Sequence, residues 1–285
     1  MQNINIVPLV SFPKSGNTWM RFLLANLFKK DRDTKIDFQN INDYMPTSPN
    51  ESLAEISTLF IEETPVFIKE HYNYYDMPYD NFEKAIYIYR DGFDALYSYW
   101  HFMDAQAPGL YPNIKTFSRC YWKYCGHWGE HIYSWILDAK TQKKHNVLGI
   151  SYERLTNEPI NVLSEVVDFL ELEVSRDRIE EAVHASDKKN MKKLSGSAEF
   201  MKSKKKDFHF VRSAKKGDSE SNLPSFSKHT FMLNQLNYDL MLTYNYIEKE
   251  NEWKNLVKDT DNSFFNKIMC TYFYFKYRIK DKRTK

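Results

Sequence analysis

The N-terminal segment limits what this chain can fold into. Ile6 to Val10 is a short apolar run of strand length, and Ser11 to Thr18 is a tight polar loop. Trp19, Met20, Phe22, Leu23, Leu24, Leu27 and Phe28 then recur as the apolar face of a helix. A buried strand turning directly into a helix is the opening of a strand–helix–strand crossover. Further strand-length runs at 65–69, 85–89 and 147–152 alternate with helical stretches at 17–29, 92–104 and 120–140. Pro159 opens another helix, Ile160 to Leu172, followed by Arg176 to His184. This alternation predicts an α/β fold with a central, mostly parallel sheet and helices on both faces. At 285 residues and 42% apolar content the chain can fill one such core, and no repeat, heptad seam or Pro/Gly-rich linker divides it. Residues 1–285 are therefore expected to form a single domain.

The loop has the chemistry of a phosphate cradle. The first backbone N–H groups of a helix lack intrahelical partners, and the helix dipole favours an anion there. Lys14 adds a point charge, Ser15 and Thr18 add hydroxyls, and Gly16 allows close backbone approach. An ATPase-type P-loop does not fit. It needs an earlier glycine and a Gly-Lys pair followed by Ser or Thr for magnesium, whereas here Lys14 precedes Gly16 and no metal is expected. Trp19 serves no phosphate, but its ring can stack on a purine.

Ser11-Phe12-Pro13-Lys14-Ser15-Gly16-Asn17-Thr18-Trp19 resembles the 5′-phosphosulfate loop of the sulfotransferases that use 3′-phosphoadenosine 5′-phosphosulfate (PAPS), with Phe12 and Asn17 as departures. Four later segments resemble the family's other sites, in family order. Lys69-Glu70-His71 stands where the family has Lys-Thr-His. Arg90 is followed eight residues on by Ser98 and then Tyr99, Trp100, His101 and Phe102, as in the family's 3′-phosphate site. Ser151-Tyr152-Glu153 looks like its Tyr-Glu-Asp segment. Arg212-Ser213-Ala214-Lys215-Lys216-Gly217-Asp218 partly matches Arg-Lys-Gly-x-x-Gly-Asp-Trp, with Ser213, Ala214 and Ser219 replacing Lys, Gly and Trp. Asp187 to Met191 aligns at Met191 but lacks the aromatic that the family places near the base.

The resemblance implies a P-loop-kinase-like architecture with a phosphosulfate-binding loop, and transfer of a sulfuryl group from PAPS to a hydroxyl or amine. The product is adenosine 3′,5′-bisphosphate (PAP). His71, Lys14 and Lys69 are the implied catalytic residues, with Glu70 as reserve base. An imidazole near pKa 6.5 suits removal of an acceptor proton at neutral pH. Ser15, Gly16, Asn17 and Thr18 are expected to hold the 5′-phosphate beside Lys14. Trp19 and Tyr152 would place the adenine. Arg90, Ser98 and Arg212 would bind the 3′-phosphate, closed over by Ser213, Ala214 and Lys216.

The 40 basic and 38 acidic residues leave a net charge of +2, which excludes a strong global field. Lysines do crowd one span from Lys188 to Lys216. Residues 188–219 read as a basic lid over a multiply charged nucleotide, least ordered around Ser195-Gly196-Ser197. Two other classes remain open: a nucleotide-dependent kinase on the same cradle, and an anionic-polymer binding protein built on these lysines. No nucleic-acid partner is expected. The N-terminus does not read as a signal peptide, and no apolar run approaches the ~20 residues that span a bilayer. Cys120, Cys125 and Cys270 read as reduced core residues, so the expected location is cytoplasmic. The aromatic stretch 261–285 is expected to be a terminal helix with a basic tail, docking on the core or on a second copy in a homodimer. The expected acceptor is a small molecule or saccharide, met by loops at 31–64, 72–82 and 103–118 and by the lysine-rich lid. Tyr72, Tyr74, Tyr75 and Tyr79 serve there either for stacking or for packing.

Overall fold

A computed structural model describes residues 4–47, 53–196 and 217–247. These fall into two compact units, one made of 4–90 and 134–196, the other of 91–133 and 217–247. The expected arginine-containing closure at Arg212, Ser213, Ala214 and Lys216, most of the lysine-rich span, and the 261–285 helix lie outside the described residues. Among the described residues no helix is long and apolar enough to cross a membrane.

The first unit is built on four strands, β1 (Ile6–Ser11), β2 (Val66–Glu70), β3 (Lys84–Tyr89) and β4 (Asn146–Ser151). Their order is β2-β1-β3-β4 and every pairing is parallel, as expected from the alternating pattern. β1 sits between two neighbours, with Ile6 opposite Val66 and Leu9 opposite Ile86. Both of its faces are covered, so it reads as an unbroken apolar run rather than an alternating one. The chain leaves β1 for β2 on one side and later continues from β3 to β4 on the other. The carboxyl ends of β1 and β3 thus form a topological switch point, the crevice where open α/β sheets take their ligands.

Helix α1 (Asn17–Phe28) follows β1 and is buried almost all round, from Met20 through Ala25 and again at Leu27 and Phe28. The short α2 (Ile41–Tyr44) packs beside it. After β4 come α3 (Tyr152–Asn157), α4 (Pro159–Leu170), α5 (Arg176–Ala185) and α6 (Lys188–Gly196). α4 starts with Pro159 in its first turn and buries Val162, Leu163, Val166, Val167 and Leu170, a helical stripe. α5 starts at the Ser175 cap and packs on α1.

Two expectations need correction. The single helix predicted over 120–140 is broken into a 3₁₀ turn at Tyr121–Lys123, a helix at Trp128–Ile132 and a π-helical turn at Tyr133–Leu137. Gly126 at φ 78° ends the first piece, and the His127–Glu130 capping box starts the next. In the π turn, side chains supply donors to the backbone carbonyls: Thr141 Oγ1 donates to Ser134 O at 2.7 Å and Gln142 Nε2 to Trp135 O at 2.9 Å. The second correction concerns Tyr152, which opens α3 rather than ending β4. Ser151 caps that helix by accepting from Arg154 N.

The second unit contains the helix Gly92–Gln106, which carries Ser98, together with helices at Asp218–Asn222, Ser225–Met232 and Gln235–Thr243. Its core holds Tyr121, Trp128 and Phe231. Asn237 ties the pieces together, accepting from Gly129 N at 2.7 Å and donating to Tyr121 Oη and Phe231 O. Cys120 and Cys125 are buried and form no disulfide among the described residues, as expected.

Candidate active site

The loop between β1 and α1 owes its shape to two residues in the left-handed region, Lys14 at φ 67° and Gly16 at φ 108°. Lysine is unusual there, and such an outlier persists only where its surroundings hold it. Ser15 N donates to Phe12 O at 3.2 Å, closing the turn. At Gly16 a Cβ would stand 2.6 Å from the Tyr152 ring, so the backbone lies directly against that aromatic. The Ser15 hydroxyl is fully buried at the helix N-terminus and has no hydrogen-bond partner among the described residues. A buried polar group left unpaired at the dipole's positive end is what a cradle for an anion should show.

Asn17 behaves differently from its neighbours. Its side chain turns into the sheet, where Nδ2 donates to Leu9 O at 2.9 Å and to Glu70 O at 3.5 Å. It fastens the ends of β1 and β2 together, which leaves its backbone N–H as the group available to a phosphate. Thr18 is half-buried in the first turn.

Arg90 follows β3 and reaches across the switch point. Its Nη1 donates to Lys14 O at 3.2 Å, and its guanidinium lies 4.5 Å from the centre of the Tyr152 ring. Tyr152 meets Trp19 edge-on at 6.4 Å, while Trp19 Nε1 donates to Ser186 O at 2.7 Å. The structure therefore brings Lys14, Ser15, Gly16, Trp19, Arg90 and Tyr152 together at the carboxyl end of β1. Met191, the residue at which the aromatic-lacking segment Asp187 to Met191 aligns with the family, is buried in the core.

His71 lies just beyond β2. Its Nδ1 is 2.7 Å from Ser11 O, with Ser11 Oγ at 3.4 Å. A carbonyl only accepts, so Nδ1 carries the proton and the neutral ring keeps its lone pair on Nε2. Ser11 thus presents His71 in the tautomer a general base needs. Lys69 and Glu70 occupy opposite faces of β2. Glu70 is paired in register with Val10, is 3% exposed, and accepts from Tyr79 Oη at 3.2 Å. Burial pushes its carboxyl up to about 7. Lys69 is paired with Leu9, facing α1, and burial together with the Arg21 charge pulls its ammonium down to about 8.

The tyrosine cluster divides. Tyr74 packs edge-on against Trp135 and His145, and Tyr79 serves Glu70 and Phe82, whereas Tyr72 and Tyr75 are exposed. Arg21 was not among the expected site residues. It is a cation inside an otherwise apolar run, Met20 to Leu24, and that interruption is the signal that points to it.

Comparison with known proteins bears on this arrangement. The family described as "Sulfotransferase domain" matches residues 6–238, a stretch that takes in residues of both units. Sulfotransferase 1E1 of Rattus norvegicus is 26% identical over 196 residues, 65% of this chain and 65% of that protein, so the chain matches just under two thirds of that relative's length. Cytosolic sulfotransferase 7 of Arabidopsis thaliana is 25% identical over 263 residues, covering 84% of this chain and 80% of that protein. Among solved structures, mouse sulfotransferase SULT7A1 complexed with PAP superposes with a TM-score of 0.58 at 20% identity, over 96% of this chain and 90% of that one. That likeness establishes a shared fold. With the family match running through most of its length, the chain belongs to the sulfotransferase domain family.

Proposed function

We propose that the protein transfers a sulfuryl group from PAPS to a hydroxyl or amine of a small-molecule or saccharide acceptor, releasing PAP. The observation that carries this reading is the cradle at the switch point. It combines a buried, unsatisfied Ser15 hydroxyl, the α1 N-terminus, Lys14, and Arg90 across from them over Tyr152. The donor supplies a sulfuryl group activated by its phosphate leaving group.

In this reading the Ser15 hydroxyl and the backbone N–H groups from Gly16 to Thr18 hold the 5′-phosphate. Trp19 and Tyr152 flank the base, and Arg90 is assigned to the 3′-phosphate. The family resemblance gives the same role to Ser98 and Arg212. His71 Nε2 takes the proton from the acceptor as the new oxygen–sulfur bond forms. The electron pair of the breaking bond passes to the phosphate oxygen, where Lys14 and Lys69 stabilise the charge. His71 is preferred to Glu70 because Ser11 O sets its tautomer, whereas the Glu70 carboxyl is engaged by Tyr79 on the other face of β2. A kinase on the same cradle is not favoured by the family match. A cytoplasmic location and a homodimer belong to the same proposal.

The test is a screen of acceptors with isotopically labelled PAPS, read as mass gain of one sulfate. His71→Ala should lose about 10²–10⁴-fold in turnover while PAP binding is kept. Full activity in that variant, with loss in Glu70→Gln, would move the base to Glu70.

A further inference from the structure

A charged cleft of about 160 Å³ lies between the end of α1 and α5, within the first unit. A cavity of about 150 Å³ takes a benzene-sized molecule, so the space suits a small polyatomic ion. The small side chains of Ala182 and Ala185 leave the room on the α5 side. Three cations line it, Lys29 and Arg32 just after α1 and Arg178 in the first turn of α5, against one carboxylate, Glu181.

Neutral oxygens hold two of these cations in place. Arg178 Nε donates to Leu27 O at 2.6 Å and its Nη2 to Lys29 O at 2.5 Å, while Lys29 Nζ donates to Thr34 O at 2.5 Å. Such bonds fix the side chains without neutralising them, and each head group has further N–H donors. Arg32 meets Glu181 at 3.7 Å, beyond hydrogen-bond distance, and both side chains are more than half exposed. The carbonyl end of a helix repels anions, but here Arg178 covers two of those carbonyls. Asp31 accepts from Thr34 Oγ1 and Asp33 N. The like charges act on one another: burial lowers Arg178 and Arg32 lowers it further, and burial lowers Lys29, which Arg178 depresses and Asp31 partly restores.

We infer that this cleft binds a phosphate-type dianion, held between the Arg178 and Arg32 guanidinium groups and the Lys29 ammonium. Three cations against one carboxylate balance a double negative charge and leave an excess beside a monoanion. A tetrahedral oxyanion also offers acceptors in several directions, which suits guanidinium forks approaching from two segments. On binding, the loose Arg32–Glu181 contact opens and Glu181 turns to solvent. The site is separate from the cradle, since the 12 residues of α1 lie between them, about 18 Å along the helix axis. It requires neither PAPS nor the assignment of His71 as base.

The experiment titrates inorganic phosphate, and acetate as a monoanion, into ¹⁵N-labelled protein carrying ¹³C alanine methyls, at constant ionic strength. Ala182 and Ala185 line the cleft, so their methyl signals report on it directly. Phosphate should shift both with a Kd of about 1 mM or tighter, at least about tenfold tighter than acetate. Arg32→Gln, which removes an exposed side chain, should weaken binding by about fivefold. Glu181→Gln removes the competing carboxylate and should tighten it. Unshifted Ala182 and Ala185 signals in the wild type overturn the inference. So does acetate binding as tightly as phosphate, or a phosphate affinity unchanged in both variants. A phosphate titration confined to the Gly16 amide would put the anion in the cradle alone and overturn it too. PAP takes no part in the measurement, so the sulfotransferase reading stands or falls separately.

Discussion

At the residue scale, Glu70 is a carboxyl held in surroundings that its charged form does not prefer. The folded protein keeps a proton on it up to about pH 7, whereas the unfolded chain gives that proton up near 4.5. Because the folded value is the higher one, this site contributes its full stability below the ordinary carboxylate range. That contribution is lost as pH rises through 7, reaching about 3 kcal/mol by pH 8. Glu70→Gln retains an oxygen for the Tyr79 hydroxyl and removes the charge. It should therefore leave Tm nearly unchanged at pH 5 and raise it by roughly 5 °C at pH 8. Thermal melts at the two pH values check this, and an equal shift at both would refute it. Much at this scale was legible in the sequence. Lys14, Gly16, Trp19 and Arg90 stand out by type and spacing, and the structure gathers them at one strand edge. The environments of Glu70 and Arg21 were not legible, since they depend on which face of β2 each neighbour takes and on carbonyls delivered by α2.

At the scale of elements, the second unit is pinned by Asp94. Its carboxylate is 2% exposed and accepts from Gly217 N and Ser219 N, both at 2.9 Å, at the start of the helix Asp218–Asn222. A carboxylate at that end satisfies orphan N–H groups and complements the helix dipole. Asp94→Ala should cost about 2 kcal/mol in denaturant unfolding, and Asp94→Asn, which retains one acceptor oxygen, should recover part of the loss. Indistinguishable unfolding curves for the wild type and both variants would remove Asp94 from this role. Strands and long helices were readable from apolar periodicity because their burial follows their own pattern. The 120–140 stretch was not, because its breaks come from Gly126 and from Thr141 and Gln142 reaching back to carbonyls seven residues earlier. Such bonds leave no periodic trace.

At the scale of the molecule, the proposed ligand site and the fold share one geometric origin, the reversal of strand order between β1 and β3. A ligand that engages both the cradle and Arg90 binds only the native chain and raises its melting point. PAP at a hundred times its Kd should add about 2.7 kcal/mol, whereas ATP with magnesium, which lacks a 3′-phosphate, should add far less. Equal shifts would favour the kinase reading. The same strand order governs how the chain must assemble. β1 is synthesised before both of its partners, Val66–Glu70 on one side and Ile86–Ile88 on the other. Pairings so distant in sequence close late and slowly. A nascent chain therefore carries an apolar, unpaired strand until both partners have emerged, and the loop that follows it takes its final shape only then. Folding yield, more than native stability, is where changes in the β1–β2 connection will be felt.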